Sequence, residues 1–153
     1  MHSKLSALVF VLFLFIVGCG SGDGGGTAGN SSEAVSTAQF VKQANAVCEK
    51  GLREKDEAVQ QAVSETESGG SSSRSDLEGL VSEVVLPKLK KIEADLRGLN
   101  PPSKDVNTVG KILTKLEGAI EHTREDPGVM LDSNPFLVVS KEAARYGLTA
   151  CQF

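Results

Sequence analysis

The chain has 153 residues, with 16 Lys or Arg against 20 Asp or Glu, a formal net charge of −4 and no tryptophan. That length allows one domain with a modest core. The mild acidity argues against a nucleic-acid partner, which needs clustered Lys and Arg to neutralise phosphates.

The first element is a leader. Lys4 and the amino terminus supply positive charge, and Leu5 to Val17 follows as an apolar run of 13 residues interrupted only by Ser6. Crossing about 30 Å of hydrocarbon needs about 20 apolar residues. The run is too short to span a membrane and suits the apolar region of a secretory signal peptide.

Ile16-Val17-Gly18-Cys19 closes the run. This resembles the lipobox of bacterial lipoproteins: an aliphatic residue, a small or aliphatic one, Gly or Ala, then Cys. The resemblance implies cleavage between Gly18 and Cys19, with Cys19 as the new N-terminus bearing a diacylglyceryl group and a further acyl chain such as palmitate. It implies a lipid anchor on the extracytoplasmic face of the cell membrane. One buried chain, at about 0.8 kcal/mol per CH₂, holds only marginally, and two or three hold firmly. The rival reading is an ordinary secreted protein cleaved near Gly20 or Gly22. The position after the cysteine is Gly20, so the Asp that retains such lipoproteins in the inner membrane of two-membrane bacteria is absent.

The domain organisation expected is therefore a lipoprotein signal peptide over 1–18, a lipidated N-terminus and flexible linker over 19–35, and a helical domain over 36–153. Cleavage removes one charged residue, Lys4, which leaves 15 basic and 20 acidic residues and a net charge of −5. The chain has three cysteines. With Cys19 taken by lipid, Cys48 and Cys151 remain as a pair, and exported chains meet oxidising conditions. A Cys48–Cys151 disulfide would close a loop of roughly 100 residues, worth about 4–5 kcal/mol in the chain-entropy model. A metal or redox site fits poorly, because there is no Cys-x-x-Cys and the histidine is distant.

Gly20 to Ser32 is Gly, Ser and Asn of low complexity, which behaves as a flexible coil. From Gly20 to Val35 its end-to-end distance is about 20–25 Å. The first helix is expected over about 37–66. Ser36 and Gln39 fit a capping box, and Phe40, Val41, Ala44, Val47, Cys48, Leu52, Val59 and Val63 make one apolar stripe. Gly69 to Ser73 should form a loop. A second helix is expected from Ser75-Asp76-Leu77-Glu78, with Leu80, Val81, Val84, Val85, Leu89, Ile92 and Leu96 inward. Pro87 predicts a kink there, or two shorter helices. Asn100-Pro101-Pro102 ends it. A third helix is expected from Ser103 or Lys104 to Glu125, and Asp126-Pro127-Gly128 breaks it. Asn134 reads as an N-cap, with Pro135 as first residue of a last helix reaching Ala150. The expected fold is all-α: a small four-helix up-down bundle after a signal peptide and a flexible Gly/Ser linker. Cys151 then meets Cys48 if the last helix stops short of the first helix's beginning or the terminus folds back.

The stretch Phe40 to Cys48, the spacing of Leu96, Leu99, Pro101 and Pro102, and Tyr146 to Cys151 together look like the small cysteine-paired helical lipoproteins of unassigned function from actinobacteria. The resemblance covers roughly 40–153. It implies fold and location and supplies no catalytic residues.

Chemistry-bearing residues are few. His122 is the one histidine after the leader, and a helix-end surface position suits it better than acid–base work. A di-iron bundle needs Glu-x-x-His, and Ala119 stands where the Glu should be. Met130, in a loop, is a weak haem ligand. There is no Gly-x-Ser-x-Gly for a serine hydrolase, and Ser64 and Ser82 read as surface. Glu49, Glu54, Asp56 and Glu57 among Lys50, Arg53 and Lys55 read as a salt-bridged face. Lys88, Lys90 and Lys91 could touch anionic lipid, but nearby acids make solubility the simpler reading. Tyr146-Gly147 suggests close packing of the last helix on the first. No enzyme activity, metal or cofactor is expected. The expected function is a non-catalytic binding or structural role in the envelope, with the membrane reached through Cys19 and an envelope protein as partner. The alternative is a carrier or sensor of a small apolar ligand in a groove lined by Val84, Val85, Leu89 and Leu113.

Overall fold

The longest element, α1 (Thr37–Thr66), starts where the Ser36-x-x-Gln39 pattern places it. Ser36 Oγ accepts from the Gln39 amide at 3.2 Å, and Gln39 Oε1 accepts from the Ser36 amide at 3.0 Å. Two donors that a helix start leaves orphaned are thereby satisfied. The computed structural model describes residues 35–66 and 73–153. Gly18 and Cys19 lie outside them, as does the stretch 69–72 expected as a loop. The remaining elements are α2 (Arg74–Leu80), a π-helical turn (Val81–Val85), α3 (Leu86–Arg97), α4 (Val106–Glu125), α5 (Val129–Asp132) and α6 (Leu137–Tyr146). No strand occurs among the described residues, and the fold is an all-α helical bundle.

The second helix starts two residues earlier than Ser75. Ser73 is its N-cap and forms the box with Asp76, whose carboxylate accepts from the Ser73 amide at 2.8 Å. Ser75 pairs with Glu78 in the same spacing, but Ser73 with Asp76 gives the longer helix. Pro87 does not divide this helix. The chain runs unbroken from Arg74 to Arg97, with the five-residue π turn just before the proline. There the Leu86 amide reaches back to the Val81 carbonyl. Pro87 has no N–H, so it can donate neither to Glu83 in an α register nor to Ser82 in a π register. Widening the turn makes room for its ring without ending the rod.

Four rods alternate in direction. Gly51 on α1 lies against Ile92 on α3. Lys90 pairs with Glu121, and Arg97 with Glu117, which sets α3 and α4 antiparallel. Lys115 pairs with Glu142, while Pro135 and Val139 lie by Ala119 and His122, so α6 runs back along α4. The core between them holds Phe40, Ala44, Leu89, Ile92, Leu116, Phe136 and Val139, all at most 2% exposed. Each such large apolar side chain contributes about 1.5–3 kcal/mol on burial.

The last helix is shorter than expected. It ends at Tyr146, and Gly147 caps it with φ 109°. Only a residue without Cβ adopts that left-handed conformation freely. The Gly147 position faces Val41 at an ordinary 3.5 Å, so the backbone angle rather than crowding calls for glycine. After this turn the tail reverses and runs along α1. Asn45 spans the reversal: its Nδ2 donates to the Gly147 carbonyl at 3.0 Å, and its Oδ1 accepts from the Ala150 amide at 2.9 Å. The Phe153 amide donates to Ser140 Oγ at 3.1 Å. Cys151 thus reaches Cys48 from the returning tail, with Cα atoms 5.0 Å apart and both residues fully buried.

Candidate functional site

The junction of α1, the α4 start and the tail is the most specifically built part of the molecule. Thr37 Oγ1 donates to Asp105 Oδ2 at 2.6 Å, which ties the beginning of α1 to the beginning of α4. Phe40 meets Tyr146 edge-on, with ring centroids 6.2 Å apart, a preferred aromatic geometry. The Tyr146 hydroxyl is buried beside Asp105 without a hydrogen bond of regular geometry. Burial first, and the Asp105 carboxylate second, push this phenol up to about 12. These groups hold elements together. A phenol kept neutral at ordinary pH is no base.

His122 is exposed, near the end of α4. It borders an open surface groove of about 410 Å³ with Gly118, Pro135, Val138 and Val139, and no carboxylate lines that groove. Met130 is half-buried against the core. Among the described residues no group of three His, Cys, Asp or Glu is arranged to hold a metal ion.

The expected ligand groove is filled. Val85, Leu89 and Leu113 are core residues at 7%, 1% and 8% exposure, and Val84 is half-buried. An interior space bounded by Phe40, Leu96, Leu113, Leu148 and Phe153 measures about 10 Å³, room for at most one water.

The charged residues behave as a solvated shell. Lys50 pairs with Glu54 at 3.8 Å, Arg53 with Glu57 at 3.9 Å and Lys55 with Asp56 at 3.2 Å. The Lys88–Lys91 cluster is dispersed, with Lys90 at 3.4 Å from Glu121 and Lys91 at 2.6 Å from Asp95. Arg74 grips Asp132 with two bonds of 2.7 and 3.1 Å and Glu78 with one of 2.9 Å. Its guanidinium holds the Asp132 carboxyl below the usual carboxylate range and docks α5 on α2. No local pattern signals this contact between residues 58 positions apart.

Two surface features remain. Leu137 and Val138 on α6 are 47% and 61% exposed, with Leu131 nearby in sequence at 37%. Thr108, Lys111, Ile112, Glu142, Arg145 and Tyr146 line an open groove of about 390 Å³ between α4 and α6.

No family model matches the chain, and no curated protein or solved structure is significantly similar to it. No helix among the described residues is long and apolar enough to cross a membrane.

Proposed function

We propose that this chain is a bacterial lipoprotein, anchored through acyl chains on Cys19 to the extracytoplasmic face of the cell membrane. Its helical body serves a non-catalytic binding or structural role in the envelope. The observation that carries this reading is Ile16-Val17-Gly18-Cys19 at the end of an apolar run too short to span a bilayer. The Cys48–Cys151 bond supports it, because it leaves Cys19 as the cysteine without a disulfide role. The exposed Leu137 and Val138 favour a protein partner over a small apolar ligand, as does the filled interior.

The test is Cys19→Ser in cells that process lipoproteins. The wild-type chain partitions into the membrane fraction, begins at Cys19 and carries acyl mass by intact mass spectrometry. The variant keeps its leader uncut or is released. A Cys19→Ser protein that is still cleaved at Gly18 and still membrane-bound sinks the reading.

A further inference from the structure

The body carries 15 basic residues. Most sit in ion pairs along α1, α2, α3 and the later part of α4. Lys42, Lys88, Lys104, Lys111, Lys141 and Arg145 have no ion pair among the described residues, and of these Lys104, Lys111 and Arg145 belong to the end at which α1 and α4 begin. Lys104 precedes Asp105, which is bonded to Thr37 at the very start of α1. Lys111 and Arg145 line the same groove with Thr108, Tyr146 and Glu142, whose carboxylate is taken by Lys115, and Tyr146 packs on Phe40 in the first turn of α1. Val106, at the head of α4, is 49% exposed beside them, and it shares a shallow depression with Lys111.

This is also the end at which the chain enters the body. Thr37 follows Cys19 by 18 positions, and a Gly/Ser-rich coil of that length would have an end-to-end distance of about 20–25 Å. A body hung on so short a tether presents its entry end to whatever holds the tether. Beyond a Debye length of about 8 Å the rest of the acidic molecule is screened, so the local positive charge decides how that end meets a surface.

We propose that this end is a lipid-facing surface, on which Lys104, Lys111 and Arg145 engage the phosphate of an anionic phospholipid headgroup while Val106 enters the interface. The proposal rests on the lipid-anchor reading. The chemistry is that of juxtamembrane cations at an anionic leaflet, where each Lys or Arg strengthens association about fivefold. It differs from the Lys88–Lys91 cluster, where Lys90 and Lys91 are already taken by Glu121 and Asp95 and only Lys88 is left without an ion pair.

The test uses the mature, lipidated protein reconstituted into vesicles of phosphatidylcholine alone or of an equimolar mixture with phosphatidylglycerol. A membrane-impermeant amine reagent labels lysines, and peptide mass spectrometry reads the rates at Lys104 and Lys111 relative to Lys88. The expected result is labelling slowed about fivefold or more at both positions in the phosphatidylglycerol vesicles, reversed by high salt. Lys111→Glu with Arg145→Glu should remove the slowing at Lys104 while leaving the circular dichroism unchanged. Equal rates in the two vesicle types overturn the proposal. Protection in phosphatidylcholine vesicles on adding inorganic phosphate makes this a free-anion site and also overturns it. So does protection that appears only in native membranes, which would place a protein there. Flotation separates the two readings. A protein that floats with both vesicles but labels equally loses this surface and keeps its anchor. A protein that floats with neither loses both.

Discussion

The close approach of α1 to α3 makes a sharp prediction at Gly51. A Cβ built there lies 2.8 Å from Ile92 Cδ1 and nearer still to Cγ1. Ile92 is 1% exposed, so it cannot swing away, and overpacking of this kind costs about 1–3 kcal/mol. Ala in a helix interior gains about 1 kcal/mol over Gly. Gly51→Ala should therefore be destabilising by up to about 2 kcal/mol. Gly110 and Gly118 on α4 have nothing within 4 Å of an added Cβ, and their Ala variants should be stabilised by about 1 kcal/mol each. The decisive measurement is a double-mutant cycle by urea unfolding, followed by far-ultraviolet circular dichroism. Ile92→Ala alone should cost about 2–5 kcal/mol, and in its background Gly51→Ala should turn stabilising, because the clashing atoms are gone. If Gly51→Ala stabilises the wild type as Gly110→Ala does, the helices are not this close. If it destabilises both backgrounds equally, Ile92 is not the cause.

Tyr146 is the one tyrosine and there is no tryptophan, so phenolate absorbance reports its titration without interference. Because its folded value is raised to about 12, the stability it contributes is complete below the unfolded value of about 10 and is lost as pH rises through the folded one. Tyrosinate should appear together with loss of helix, and a free titration near the ordinary phenol value of about 10 would refute the buried placement. Asn45→Ala leaves the Ala150 amide and Gly147 carbonyl without this partner and should cost about 1–3 kcal/mol, with faster amide exchange in the tail than in α4. At low pH the start of α2 should loosen first. The Ser73 hydrogen bonds lower Asp76, and the Arg74 hydrogen bonds lower Asp132. Their contributions are therefore present above the unfolded carboxylate value and lost as pH falls through the depressed ones. Exchange at Leu77 and Glu78 that stays flat through that acid range would contradict this.

The helices were legible because their apolar residues recur in steps of three and four. Phe40, Ala44 and Cys48 fall on one face of α1, and all are buried. Ser36 and Gln39 marked its start for the same local reason. What escaped were features decided by geometry beyond the helix period. Pro87 signals a break, but whether the backbone kinks or widens into a π turn depends on how Val81 and Val85 pack against neighbours. Gly147 reads as a weak point inside a helix, yet it ends one, because the tail must reverse for Cys151 to reach Cys48. The Arg74–Asp132 and Thr37–Asp105 contacts join distant positions, and no local pattern announces such pairs. The basic end of the bundle was hidden in the same way. Lys111 and Arg145 line one groove only once α6 folds back along α4.

The Cys48–Cys151 bond also changes what a protease can achieve. It turns the body into a covalent ring spanning 103 positions. One backbone cut anywhere from 49 to 150 opens that ring but sheds nothing, since both pieces stay joined through sulfur. Release from an N-terminal anchor needs a second cut in the ring or a single one ahead of Cys48. The described residues there are the tail of the linker and the first turns of α1, where Phe40 and Ala44 are already locked into the core. Under oxidising conditions a single cut therefore sheds the body only if it falls ahead of the first buried turn. Under reducing conditions any surface cut can set part of the body free.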